Sequence, residues 1–328
     1  MSYFRGHRLD TGENLSSISC RDVLTCCSLY QVKFRTTSIS QPTIGINEVN
    51  LRVESISEQL LFATIPIDTT SANGDQGSGT GFVFSFFKDE NEYLFLVTNK
   101  HVVAGAKSGR MIFTKSQDGK PKVGENYTID FADFESMLFG HPNPEIDITV
   151  TPFMPIIELA NYVSNANIFY RTISNKNIPS SAEIEDLDAI EAVTFIGYPN
   201  GIWDKVNLLP VSRRGHSATP INVDFEGTKT FLIDASVFGG LSGSPVFILN
   251  QGSFSHRGGI TVGTRFYFIG VIAAVYFRNS VGEVRSVPIP SSNKIIVESR
   301  EMIDLGIVFK ASTVIETISA LLEQQRQR

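Results

Sequence analysis

The chain has 328 residues, 42% hydrophobic and 19% charged, a globular composition that argues against a disordered or fibrous protein. At roughly 100–200 residues per domain, this length suits about two compact units. With 28 basic and 34 acidic residues the net charge is −6. A general polyanion binder needs a basic excess, so no nucleic-acid partner is expected.

The longest apolar run, Phe266 to Phe277, is twelve residues. A membrane helix needs about 20, so this run reads as a buried strand and no membrane partner is expected. Met1 to Asp10 is charged and has no apolar stretch, and a secretory signal is therefore not expected. Cys20, Cys26 and Cys27 are the three cysteines, and a chain without cysteine after residue 27 cannot staple its core. No second Cys or His pair lies near them at zinc spacing, so free thiols are expected. A cytoplasmic location follows as the expectation.

Residues 1–45 mix Ser, Thr, Arg and Cys without apolar period and read as an extension, partly disordered. Short β-rich segments separated by turn residues then follow. The first set is Leu60–Ile67, Gly81–Phe87, Tyr93–Thr98, Met111–Lys115, Tyr127–Phe131 and Ile146–Pro152. The second is Ala192–Ile196, Leu208–Ser212, Ile221–Asp224, Thr230–Asp234, Val246–Leu249, Tyr267–Tyr276 and Gly306–Lys310. Such a pattern predicts an all-β sandwich or barrel. Between the sets, 153–188 carries a short predicted helix (Pro155–Tyr162) and a polar tract, the natural joint between two halves. At the end, Val314, Ile315, Ile318, Leu321 and Leu322 form one helical stripe. Thr313 with Glu316 three residues on predicts a capping box there. The expected organisation is an extension (1–45), a first barrel (46–152), a linker (153–188), a second barrel (189–310) and a terminal helix (311–328).

Three segments carry chemistry. Gly77-Ser78-Gly79-Thr80-Gly81-Phe82 leads through two strands to Thr98-Asn99-Lys100-His101-Val102-Val103. Ile146-Asp147-Ile148-Thr149-Val150 holds one isolated acid. Gly239-Gly240-Leu241-Ser242-Gly243-Ser244-Pro245 follows the strand ending at Asp234. A serine hydroxyl needs a base to take its proton as it attacks, and histidine, with an ordinary pKa of about 6.5, can do so. A buried carboxylate on the other ring nitrogen fixes the tautomer. Glycines before the serine let the turn aim the amides of Gly240 and Ser242 at a developing oxyanion. His101 as base, Asp147 as orienting acid and Ser242 as nucleophile are therefore the candidate residues, ahead of Asp130, Asp133 and Ser244. His141 in His-Pro-Asn-Pro reads as a solvated loop residue, and His216 as a turn histidine on a barrel rim. The Arg213-Arg214 pair reads as a solvated edge.

These segments resemble the chymotrypsin-like (trypsin-fold) serine peptidases, above all the bacterial HtrA/Deg-type protease domain without its PDZ appendage. The resemblance rests on 77–82, on 97–103, on 146–150, on Ile196-Gly197-Tyr198-Pro199-Asn200-Gly201, on Asp234-Ala235 through Pro245, and on Leu305-Gly306-Ile307-Val308 with the terminal helix. It implies an all-β protein of two six-stranded barrels with a C-terminal helix and the site in the cleft between the barrels. It also implies a serine endopeptidase with a polypeptide substrate, working without metal or organic cofactor. Ser236, six residues before Ser242, would lie near the floor of the primary specificity pocket. With no acid there, a small to medium apolar side chain is expected before the scissile bond. Leu241 stands where secreted zymogens carry an aspartate, so activation by N-terminal trimming is not expected. Three other readings use the same residues: a latent binding or scaffold protein that a partner switches on by ordering the oxyanion loop, an esterase, and an effector peptidase switched on within a larger assembly.

Overall fold

The computed structural model describes residues 32–33, 51–164, 167–256, 258–284 and 295–327. The predicted extension 1–45 and its cysteines lie outside the described residues, except for Val32–Lys33. The first half is a ten-stranded sheet. Its strands are β1 (Val32–Lys33), β2 (Thr64–Ser71), β3 (Gln76–Lys88), β4 (Asn91–Thr98), β5 (Ala106–Gln117), β6 (Lys120–Ala132), β7 (Phe139–Gly140) and β8 (Thr149–Pro152). Two short strands from the central segment, β9 (Ile168–Phe169) and β10 (Ile173–Ser174), join it beside β5 and β3. The main path runs β1-β6-β5-β2-β3-β4-β8-β7.

The second half is a closed six-stranded barrel. Around it run β11 (Ala192–Gly197), β12 (Val211–Ser217), β13 (Thr230–Asp234), β18 (Ile295–Lys310), β17 (Arg265–Val284) and β14 (Pro245–Asn250). A separate hairpin pairs β15 (Ser253–His256) with β16 (Gly259–Val262).

Among the described residues, the backbone ladder closes one six-stranded barrel, that of the second half, beside the ten-stranded sheet of the first. In the first half, β1 pairs with Asp130 and Phe131 at the end of β6, and β7 with Thr149 and Val150 of β8. The α-helices among the described residues are α1 (Ile56–Leu60), α2 (Lys100–Val103), α3 (Met154–Ser164), α4 (Ser181–Glu185) and the C-terminal α5 (Ser312–Arg326). Among the described residues, no helix is long and apolar enough to cross a membrane.

Period-two alternation explains how the halves join. Along β3, Phe82, Phe84 and Phe86 point to one face and Val83 to the other. Val83 packs with Ile67, Leu96, Met111 and Ile129 inside the first half. The phenylalanines pack instead with Phe247, Phe268 and Val271 of the barrel and with Val314, Ile318 and Leu321 of α5. The Phe82 and Phe268 rings meet at 5.5 Å between centroids, edge to face. Burying a phenylalanine of this kind is worth about 1.5–3 kcal/mol, so β3, covered on both faces, anchors one half to the other.

Several local expectations change. Leu60 belongs to α1, where Ser55 accepts from the Glu58 amide and the Glu58 carboxylate accepts from the Ser55 amide. Ile221–Asp224 is a loop, because the turn Val223 N–H to Pro220 carbonyl (3.1 Å) bends the chain back after proline. The capping box at Thr313 is absent: β18 runs to Lys310, so α5 starts at Ser312 and Thr313 lies within its first turn. Its hydroxyl donates to the Lys310 carbonyl at 2.8 Å. His216 sits on β12, paired with Asp234 and Ala192, rather than in a turn.

One buried ion pair went unread in the sequence. The Arg265 guanidinium forks onto both oxygens of Glu191 at 3.1 and 2.5 Å, and the two side chains are 7% and 8% exposed. Asn250 accepts a further hydrogen bond from Arg265, and the Asp188 amide donates to Glu191. Removing one partner strands the other charge in a dry site, a loss of about 3–5 kcal/mol. Glu191→Ala is accordingly expected to unfold at clearly lower urea concentration than the parent, with an unchanged slope; a shift below about 1 kcal/mol would refute the pairing as a stabilising unit.

Candidate active site

His101 lies on α2, a single turn directly after β4. The turn can sit close to β3 because Gly79 faces it: a Cβ there would approach the Val102 methyls at 2.5 and 2.8 Å. Asp147 is not on a strand as expected but in the loop leading to β8. Its carboxylate takes two hydrogen bonds from one residue, the His101 amide at 3.0 Å and the His101 Nδ1 at 2.5 Å. The Asp147 carbonyl accepts from the side-chain amide of buried Asn99 at 2.6 Å. A carboxylate only accepts, so Nδ1 is the donor of this pair, and in the neutral imidazole Nε2 is then the acceptor. The two competing acids are engaged elsewhere, Asp130 with Arg110 and Asp133 with Lys107.

Ser242 sits half-buried in the turn between β13 and β14. Its hydroxyl donates to the Ala273 carbonyl at 3.4 Å, a long contact, and among the described residues no hydrogen bond joins it to His101. Ser244 is fully buried against Gly197, with its hydroxyl unpartnered, which removes it as a rival nucleophile. Leu241 is fully buried in the barrel core.

The turn before Ser242 is held by backbone bonds. The Asn200 amide donates to the Gly239 carbonyl. Because C=O and N–H point to opposite sides of a trans peptide, the Gly240 N–H faces away from Asn200. Among the described residues neither it nor the Ser242 N–H has an internal acceptor. Gly240 has φ +84°, and a Cβ on it would lie 2.4 Å from the Tyr198 carbonyl oxygen. Only glycine fits that position.

Sequence reasoning did not single out Thr80, which ties the halves together at this point. Its amide donates to the Ser242 carbonyl at 2.8 Å and its hydroxyl to the Gly240 carbonyl at 2.8 Å. The same hydroxyl accepts from the Tyr198 amide at 3.2 Å, and the Thr80 carbonyl accepts from the Thr98 hydroxyl. The serine turn is thus tied to the end of the strand that leads to His101. The only signal for Thr80 was its place within the glycine run 77–81. Thr80→Val leaves the Gly240 carbonyl and Tyr198 amide unpaired, and about 1–3 kcal/mol should be lost per stranded group. Urea unfolding should show that loss, and Thr80→Ser should recover most of it; equal stability of the Val and Ser variants would be the contrary result.

The surroundings are asymmetric in charge and burial. Burial pushes the Tyr198 phenol well above its ordinary pKa, while the phenol donates to the Thr64 carbonyl at 3.1 Å. Burial also draws the Lys100 ammonium below its ordinary pKa, and attraction to Asp147 opposes this. Ser236 is half-buried between buried Ala235 and Val237. Beyond it the Arg213 guanidinium lies 5.0 Å from the Phe238 ring centre, so Arg213 is not a purely solvated edge. His141 is not solvated either. Its side chain is 9% exposed and meets Glu316 of α5 at 3.3 Å.

No family profile matches the sequence, and no curated protein matches it. Solved structures give remote similarities. The active form of the Rv3671c protease from M. tuberculosis is 16% identical, with 79% of this chain and 81% of that chain covered and a TM-score of 0.38. The thermostable serine protease AL20 from an extremophilic microorganism is 13% identical over 79% of this chain and 97% of that one, at a TM-score of 0.39. A scabies mite inactivated protease paralogue is 13% identical over 81% and 96%, at 0.40.

Proposed function

We propose that this protein is a serine endopeptidase in which His101, Asp147 and Ser242 form the catalytic group, a reading closest to the HtrA/Deg-type resemblance of its motifs. The observation that carries it is the pair of hydrogen bonds from His101 to Asp147, which makes Nδ1 the ring donor, so that in the neutral imidazole Nε2 is the acceptor. Ser242 Oγ attacks the peptide carbonyl carbon and its proton passes to His101 Nε2. Asp147 stabilises the imidazolium, and the Gly240 and Ser242 amides hold the oxyanion. The protonated imidazole then gives its proton to the leaving amine as the C–N bond breaks. Water, deprotonated by the same nitrogen, hydrolyses the ester on Ser242. No metal or organic cofactor enters these steps. For attack, the Ser242 hydroxyl must turn from the Ala273 carbonyl to His101, as catalytic hydrogen bonds often do only with substrate bound. Ser236 offers no charge at the pocket floor, in keeping with a small to medium apolar side chain before the scissile bond.

One observation favours a second reading, a latent protein that a partner activates: the Ser242 hydroxyl rests on Ala273 and not on His101. The turn argues the other way, since the Gly239 carbonyl is already held by Asn200. An esterase would share every step, and only substrate trials separate it. The deciding experiment treats purified full-length protein with a fluorophosphonate and reads the intact mass. A stoichiometric adduct supports a working site. Folded protein without adduct would reject the peptidase reading in favour of the latent one.

A further inference from the structure

Three consecutive residues, Asn99, Lys100 and His101, grip the loop that delivers Asp147. Asn99 holds the Asp147 carbonyl, and His101 holds the carboxylate. Lys100 reaches the near side of the loop, where its ammonium donates to the carbonyls of His141 and Asn143 at 2.8 and 2.9 Å. The loop is also closed by its own backbone, His141 N–H to the Ile148 carbonyl at 2.9 Å and Ile146 N–H to the Asn143 carbonyl at 3.2 Å. The Lys100 stem runs against Gly140: a Cβ there would meet Cε at 2.9 Å.

From these contacts we infer that Lys100 is a positioning residue, which sets the Asp147 carboxylate on His101 Nδ1 by drawing the 141–147 loop onto α2. The inference rests on the peptidase reading for its catalytic meaning, though not for its geometry. Two carbonyls aimed at one point repel each other unless a cation sits between them. Lysine supplies that cation with three donors, two of which are used here. Its residue number matters too. Lys100 and His101 are neighbours on one short turn, so any shift of the loop relative to Lys100 is a shift of Asp147 relative to the imidazole. The far side of the loop is anchored independently. His141 Nδ1 accepts from the Asn143 amide at 3.0 Å, and its Nε2 faces Glu316, which also takes Lys229 at 2.7 Å. That second anchor holds only the His141 end of the loop when Lys100 is changed, so the fold survives while the stretch from Asn143 to Asp147 shifts and the aim of Asp147 is lost.

The test uses Lys100→Met, which keeps the stem and removes the donors, and Lys100→Gln, which restores a neutral donor. Long-range ¹H–¹⁵N spectra of the His101 ring read its tautomer directly, without need of any substrate. The parent should show protonated Nδ1 and bare Nε2. Lys100→Met should show a mixture of tautomers with its unfolding midpoint little changed, and Lys100→Gln should fall between. Labelling by a fluorophosphonate should slow about 10²-fold in Lys100→Met, the scale of a small misplacement of a catalytic group. An unaltered tautomer and a labelling rate within twofold of the parent would overturn the inference. A parent that is never labelled, but whose tautomer shifts in Lys100→Met, would sink the peptidase reading and leave the positioning role standing.

Discussion

Ser242→Ala is expected to abolish fluorophosphonate labelling and to lower peptide hydrolysis by about 10⁶-fold, the scale seen when a triad serine is removed. The fold should be unaffected. Ser242 is only half-buried, and its hydroxyl makes one long bond, to the Ala273 carbonyl at 3.4 Å. Alanine removes that bond without leaving a charge or a sizeable cavity. The turn is held by other groups, the Ser242 carbonyl by the Thr80 amide and the Ser244 amide by the Leu241 carbonyl. Intact-mass analysis beside thermal unfolding therefore separates loss of the nucleophile from loss of structure. An adduct that persists in the variant would place the nucleophile elsewhere. It would not be Ser244, whose hydroxyl is fully buried.

Gly240→Ala should cost nearly as much by a different route. At φ +84° an L side chain is strained, and the new methyl would lie 2.4 Å from the Tyr198 carbonyl oxygen and 2.9 Å from the Asn200 nitrogen. Both contacts are with backbone, which cannot swing aside as a flexible side chain can. The turn must open, the Gly239–Asn200 hydrogen bond breaks, and the Gly240 N–H loses its aim. One oxyanion donor is typically worth ~10²–10³ in rate, so a fall in kcat of that size with KM little changed is expected. A variant with the parent's kcat would show that the Gly240 amide does not hold the oxyanion. Because His101 and Asp147 are untouched, the tautomer of the His101 ring should stay as in the parent.

The glycine turn before Ser242 was legible before any coordinates, and the reason is physical. A tight turn needs glycine wherever the backbone takes positive φ or passes close to another chain segment, and glycine is visible in a sequence. The same holds for Gly79, whose missing side chain lets α2 approach β3. Strands were legible where a continuous run of large apolar residues marks a strand covered on both faces, as in Phe82–Val83–Phe84 or Phe231–Leu232–Ile233. Leu60 and Ile221 misled because one apolar residue beside a cap or a proline has no period of its own.

Other features had no local mark. His141 stands in a polar loop beside two prolines, yet α5, 175 residues further on, covers it. The Glu191–Arg265 pair joins residues 74 apart, and nothing near either one announces a buried partner. Thr80 and Lys100 looked like spacers inside motifs, since a side chain that grips a distant carbonyl leaves no pattern around itself.

The chain alone thus determined the order of the candidate residues His101, Asp147 and Ser242, the apolar runs of its strands and the apolar stripe of its last helix. Each of these depends on neighbours within a few positions. Tertiary structure decided whether the barrels close, which acid faces His101, where the Ser242 hydroxyl rests and what pins the Asp147 loop. Those outcomes depend on hydrogen bonds and edge pairings between segments far apart in sequence, where a single unpaired carbonyl or an occupied strand edge tips the balance.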